Sequence, residues 1–190
     1  MMFRWEPDMV RFMKDASEYG DYHARLAARI AAHLPAGAHV CDAGCGLGYL
    51  SRALAPLCGR VTALDISENA LAVARALARP LPNMAVVRAD METFAPAEPF
   101  DAMVFCFFGR TEEILRFASR ACRGRVAVVK KNWAHHRFSL AKKPLRHSTL
   151  AEMEAFLAAR GVPFQSERFT LEFGQPLRSE ADAVRFFRLY

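Results

Sequence analysis

No stretch of this sequence is apolar for long enough to cross a bilayer. The N-terminus, MMFRWEPDMVRFMKD, is broken by charges and a proline where a secretory signal needs an unbroken apolar core. These absences predict a cytoplasmic protein with no membrane partner. Cysteine is scarce and odd in number, at positions 41, 45, 58, 106 and 122, with no C-x-x-C pair. That argues against a disulfide framework and a zinc site, and predicts reduced thiols packed as small hydrophobes. Internal repeats are missing, and no Gly-Lys-Ser/Thr follows the glycine-rich stretch, so a phosphate-binding P-loop is excluded. Acidic residues are absent throughout KKNWAHHRFSLAKKPLRH, residues 130–147, although the whole chain carries 20 of them against 26 Lys and Arg.

The composition that remains is that of a well-packed domain. Of 190 residues, 53% are hydrophobic, enough for one full core and too few residues for two comfortable domains. A single domain over 1–190 is expected, with 1–34 as an N-terminal helical cap broken near Gly20 and 132–147 as a basic connection on the substrate side. Between them, short apolar runs alternate with helical periodicity. Strands are predicted at 38–42, 60–65, 84–90, 100–108 and 125–131. The intervening helices run from Leu47 to Leu57, from Ser67 through Ala78, and from Thr111. Thr149 and Glu152 have capping-box spacing for a helix ending at Gly161. Phe169, Leu171 and Phe173 alternate with polar residues and predict a sixth strand within 162–174; Ser179 opens a last helix. Strands separated by helices imply an α/β fold: a doubly wound, mostly parallel Rossmann-like sheet with helices on both faces.

In such a sheet the ligand crevice lies beyond the C-terminal ends of the strands, where strand order reverses. Gly44, Gly46 and Gly48 follow the first strand in VCDAGCGLGYL, and Asp65 ends the second, 21 residues beyond Gly44. That offset suits a carboxylate on ribose hydroxyls. The spacing, however, is G-x-G-x-G and not the dinucleotide G-x-G-x-x-G. Asp42, beside the loop, would oppose a pyrophosphate and favour a cation. The combination points to an adenosine ligand with positive charge and no phosphate.

CDAGCGLG resembles the cofactor loop of the class I S-adenosylmethionine-dependent methyltransferases, and the likeness in element order runs through residues 20–175. The resemblance implies S-adenosylmethionine as cofactor and S-adenosylhomocysteine as product. It also implies that Asp42 and the backbone of Gly44, Cys45, Gly46 and Gly48 hold the methionine moiety. Asp65 would take the ribose, Ile66 would line the adenine, Asp90 would accept from its amino group, and Met91 would lie on the ring. Each acid has a plainer alternative: Asp42 and Asp65 as cap or turn residues, Asp90 as an end-of-strand turn former, and Met91 as simple packing.

Methyl transfer needs alignment and desolvation more than covalent catalysis, and a base only if the acceptor must lose a proton. Tyr19, His135 and His136 are the expected acid–base groups, with Tyr22 and His23 as further candidates and His23 read by default as a surface residue. The Asn/Asp-Pro-Pro-aromatic signature of base amino methylation is replaced after strand four by Cys106-Phe107-Phe108-Gly109, which argues against that chemistry. Phe107 or Phe108 is expected to line the acceptor pocket, with core packing as the alternative. The basic segment supplies Lys130, Trp133, Arg137, Lys142, Lys143 and Arg146 to bind an anionic acceptor. A small anionic or polar metabolite is therefore the expected substrate, reached by in-line displacement. The competing readings are an RNA methyltransferase on the same core, a non-catalytic cofactor-binding regulator, and, disfavoured by the loop spacing and Asp42, an NAD-linked oxidoreductase. The apolar terminus Phe186, Phe187, Leu189 and Tyr190 suggests chain continuing beyond, a fold-back over the acceptor site, or a homodimer through this helix or a sheet edge.

Overall fold

A computed structural model describes residues 5–132 and 149–189. Five parallel strands form one sheet in the order β3-β2-β1-β4-β5. They are β1 (His39–Ala43), β2 (Arg60–Asp65), β3 (Met84–Arg88), β4 (Phe100–Cys106) and β5 (Cys122–Val129). The chain steps outward from β1 through β2 to β3, then crosses back to place β4 on the other side of β1. Strand order therefore reverses between β1 and β4, and the register Ala43 against both Leu64 and Phe105 aligns their C-terminal tips.

Alternation along the strands assigns the two faces. Val40, Val61, Ala63, Ala102 and Val104 meet Leu26, Ala27 and Ile30 of α2 (Tyr22–Ala31) and Leu50 and Leu54 of α3 (Tyr49–Leu54). Cys41, Ala43, Leu64, Met103 and Phe105 meet Ile114, Phe117 and Ala118 of α5 (Thr111–Ala121). Because both faces are covered, the central strands are apolar nearly throughout, as a parallel sheet requires. Between β2 and β3 lies α4 (Glu68–Ala78), whose Ala70, Leu71 and Ala74 are buried. The N-terminal cap is α1 (Pro7–Tyr19) followed by α2, broken at Gly20 as the sequence implies.

Local chemistry moved several predicted boundaries. The third helix is only Tyr49–Leu54, with a 3-10 turn at Ala55–Leu57, because Gly48 sits in the left-handed region and Pro56 interrupts the α-helical bonding. β4 stops at Cys106 because Phe107 turns to φ 53°. β3 stops at Arg88, and Asp90 then closes a turn by accepting from the Glu92 N–H at 2.9 Å. Ser67 occupies the N-cap of α4 without a side-chain cap bond; Asp65 instead accepts from the Ser67 N–H at 2.9 Å. The basic connection runs from β5 to the helix α6 (Leu150–Ala158), whose Thr149–Glu152 capping box forms as expected.

The sixth strand does not form. Residues 163–178 hold no strand, and no described residues pair with the outer edge of β5. The alternating apolar side chains are satisfied one at a time. Phe173 lies against Tyr22 with ring centroids 4.7 Å apart, Arg29 covers Phe169 at 4.8 Å, and Leu171 packs on the core between α2 and the sheet. Alternation creates a face for burial, but a ladder also needs a register partner.

The final helix, α7 (Glu180–Leu189), folds back on α1. Phe186 meets Phe12 edge-on at 5.3 Å, and Arg11 and Arg178 pair with Asp182 and Asp15. No helix among the described residues is long and apolar enough to cross a membrane.

Candidate cofactor and acceptor site

The glycine loop occupies the sheet's switch point. Gly44 and Cys45 donate their N–H groups to the Leu64 carbonyl at 2.8 and 3.0 Å, and Gly46 N–H donates to Asp65 Oδ2 at 2.9 Å. The loop is thus pinned to the tip of β2 by backbone and carboxylate together. Gly44, Gly46 and Gly48 have φ of 73°, 53° and 80°, a region that L side chains resist. Space makes the same demand. A Cβ on Gly44 would enter the Phe108 ring, and one on Gly46 would meet Trp5 Cζ2 at 2.7 Å. Two aromatic rings therefore lie directly on the loop backbone.

Asp42 is 1% exposed beneath this loop. Burial pushes its pKa up to about 6, while a 2.5 Å hydrogen bond from Ser51 Oγ opposes the rise and the nearby charge of Asp65 adds to it. No cationic side chain figures among these influences. The loop therefore sits over concentrated negative charge, which disfavours a pyrophosphate and suits a cation. Such a site fits an S-adenosylmethionine-type ligand: left-handed glycines for close approach, a strand-tip carboxylate, and aromatic rings against the loop.

The other expected cofactor residues are spread around this centre. Ile66 is half-buried and its carbonyl accepts from Arg88 Nε at 3.3 Å. Asp90 is exposed and is used in the turn described above, the plainer of its two readings. Met91 is 8% exposed and packs in the cluster with Phe105, Ile114 and Phe117. Cys45 is a half-buried free thiol, raised in pKa mainly by burial; the other four cysteines are also free.

On the acceptor side, Tyr19 is 66% exposed at the end of α1, with its ring against Gly174. The default reading of His23 as a surface residue is corrected. It is half-buried among Tyr22, Tyr49 and Phe173, with ring centroids 5.1, 5.6 and 5.8 Å away. Desolvation lowers its pKa to about 4, so it is neutral at physiological pH, and its buried Nδ1 has no hydrogen-bond partner among the described residues. The i, i+4 pattern Tyr22–Leu26–Ile30 could have exposed this error, since it turns the start of α2 toward the core. Phe107 is 39% exposed and therefore no core residue. Lys130, expected at the substrate, donates from Nζ to the Gly109 carbonyl at 2.8 Å and braces the turn after β4. Phe108, expected with Phe107 at the acceptor pocket or in the core, lies on Gly44, and Trp5 on Gly46 was not foreseen because it lies far from the glycines in sequence. Trp133, His135, His136, Arg137, Lys142, Lys143 and Arg146 lie outside the described residues.

Comparison with known proteins agrees with the fold. The methyltransferase domain family model matches residues 40–132. Over 132 residues the chain is 34% identical to dTDP-3-amino-3,6-dideoxy-alpha-D-glucopyranose N,N-dimethyltransferase of Streptomyces fradiae, covering 63% of this chain and 50% of the relative. It is 35% identical over 102 residues to trans-aconitate 2-methyltransferase of Streptomyces avermitilis, covering 47% and 38% respectively. The chain thus spans half or less of the length of these relatives. Among solved structures, a SAM dependent methyltransferase from Aquifex aeolicus superposes with a TM-score of 0.63 at 18% identity, covering 83% of this chain and 89% of that one.

Proposed function

Because the chain has the fold of the class I S-adenosylmethionine-dependent methyltransferases, we propose that it transfers a methyl group from S-adenosylmethionine to a small anionic metabolite. The observation that carries this reading is the electronegative glycine loop, with Asp42 buried below it and Asp65 bonded to its Gly46 N–H. S-adenosylmethionine supplies, when bound, an electrophilic methyl on a sulfonium that departs as a neutral thioether. Everything else falls to the protein's own residues. Asp42 holds negative charge in a dry setting, where its influence on a cation is strongest. The Gly44–Gly48 backbone and Asp65 position the ligand. Ile66, Asp90 and Met91 border its ring end, and Asp90 has acceptor capacity beyond the Oδ1 that takes the Glu92 N–H. Tyr19, His135 and His136 are the groups assigned to the acceptor's proton.

An anionic acceptor is supported by the acid-free segment 130–147 and by both relatives, whose names specify a nucleotide-linked amino sugar and a tricarboxylic acid. Calorimetry tests the cofactor assignment directly. S-adenosylmethionine and S-adenosylhomocysteine bind, and NAD does not at the same concentration. Tighter binding of NAD than of S-adenosylhomocysteine would overturn the assignment.

A further inference from the structure

Phe107 is, among the described residues, the only non-glycine with positive φ, at 53°. Its N–H donates to the Val129 carbonyl at 3.0 Å, so the tip of β4 is bound to the tip of β5 in this conformation. A large side chain in the left-handed region is strained, and such strain persists where the surroundings enforce it. What the strain achieves here is visible: the ring is held 39% exposed instead of entering the core. Above it stands Lys131, its Nζ 5.6 Å from the ring centroid.

Lys131 shares with the adjacent Lys130 a partly buried ammonium whose pKa desolvation lowers. The Lys131 backbone carbonyl accepts from the Leu150 N–H at 3.3 Å, which fixes the residue against the start of α6. Yet no carboxylate among the described residues pairs with it, whereas Arg11, Arg123 and Arg168 all have acidic partners. The neighbouring Lys130 has its ammonium on Gly109. A partly desolvated ammonium without a counter-charge is unfavourable in the empty protein and is relieved by an incoming anion. The place is also apt. Phe108, next in the chain after Phe107, lies on Gly44 of the cofactor loop.

We propose that Lys131, presented over the strained Phe107, is the anchor for the acceptor's anionic group, a carboxylate or a phosphate, beside the cofactor loop. The inference rests on the methyltransferase reading and names the substrate class of that same site. Phe107 supplies an apolar floor and Lys131 the charge, so the acceptor's anion binds at the β4–β5 tips while its reactive atom reaches toward the glycine loop.

The test uses the full chain saturated with S-adenosylhomocysteine, titrated calorimetrically with citrate for the carboxylate case and with inorganic pyrophosphate for the phosphate case. At least one probe binds the wild type. Lys131→Met weakens it about tenfold or more, Lys131→Arg restores most of the affinity, and all variants bind S-adenosylhomocysteine as the wild type does. Lys131→Gln, tested in parallel, serves if the methionine variant fails to fold. Wild-type probe affinity in the methionine or glutamine variant, or no binding of either probe to wild type that holds S-adenosylhomocysteine, overturns the anchor. Failure of the wild type to bind S-adenosylhomocysteine at all overturns the underlying methyltransferase reading instead.

Discussion

Replacing Asp42 with asparagine should make the empty protein more stable and a poorer binder of its cofactor. Asp42 is 1% exposed and its pKa is raised by burial from 3.8 to about 6. The folded state therefore holds the proton more tightly than the unfolded chain. That favourable contribution is complete below pH 3.8 and is lost as pH rises through about 6. The shift of a little over two pH units, at ~1.36 kcal/mol each, makes the ionised carboxylate cost about 3 kcal/mol at neutral pH. Asparagine keeps an acceptor for Ser51 Oγ but carries no charge, so Asp42→Asn should recover roughly 1–3 kcal/mol, reduced by its new amide N–H donors. The assay is urea denaturation at closely spaced pH values from 4 to 7.5, with and without S-adenosylmethionine. The variant should gain on the wild type progressively from pH 4 to 6.5, and should bind S-adenosylmethionine about tenfold more weakly from the lost attraction. Parallel stability curves across that range would show that Asp42 is not a strained buried charge, and the electrostatic argument for a cationic ligand would fail with it.

His23 acts in the opposite sense. Its folded pKa of about 4 lies below the ordinary 6.5, so its contribution to stability is present above 6.5 and is lost as pH falls through about 4. His23→Phe should flatten the acid limb of the stability curve, read in the same urea series. Asp65→Ala should weaken S-adenosylhomocysteine binding by about tenfold or more in calorimetry, because it removes both the strand-tip carboxylate and the anchor of Gly46 N–H. Gly44→Ala puts a Cβ into the Phe108 ring at φ 73° and should cost about 1–3 kcal/mol of stability, measured by thermal melting, with loss of cofactor binding. Phe107→Gly should change stability by less than about 1 kcal/mol, since relief of the left-handed strain offsets the packing lost from a half-exposed ring. A larger loss in chemical denaturation would mean that the ring is a core element after all.

The amino-acid order by itself determined the parallel α/β architecture, the glycine loop after β1 and the acid after β2. Each of these follows from local chemistry: helical or strand periodicity, turn residues, and glycines where a side chain cannot fit. Asp42 could be read as a charge beside a ligand, but its pKa is raised by burial in the folded chain and by Asp65 from the next strand, against the opposing hydrogen bond from Ser51 of the next helix. The alternating residues 169–173 spelled a strand, yet forming one required an edge in register, which they did not take. His23 looked like a surface residue until Tyr49 and Phe173, brought in from distant parts of the chain, closed around it. Trp5 over Gly46 and Lys131 over Phe107 likewise arise only when separate segments converge on the strand tips. Periodicity and turn propensity act over a few neighbouring residues, whereas desolvation, charge coupling and ring contacts are set by whatever the folded chain brings within a few ångströms.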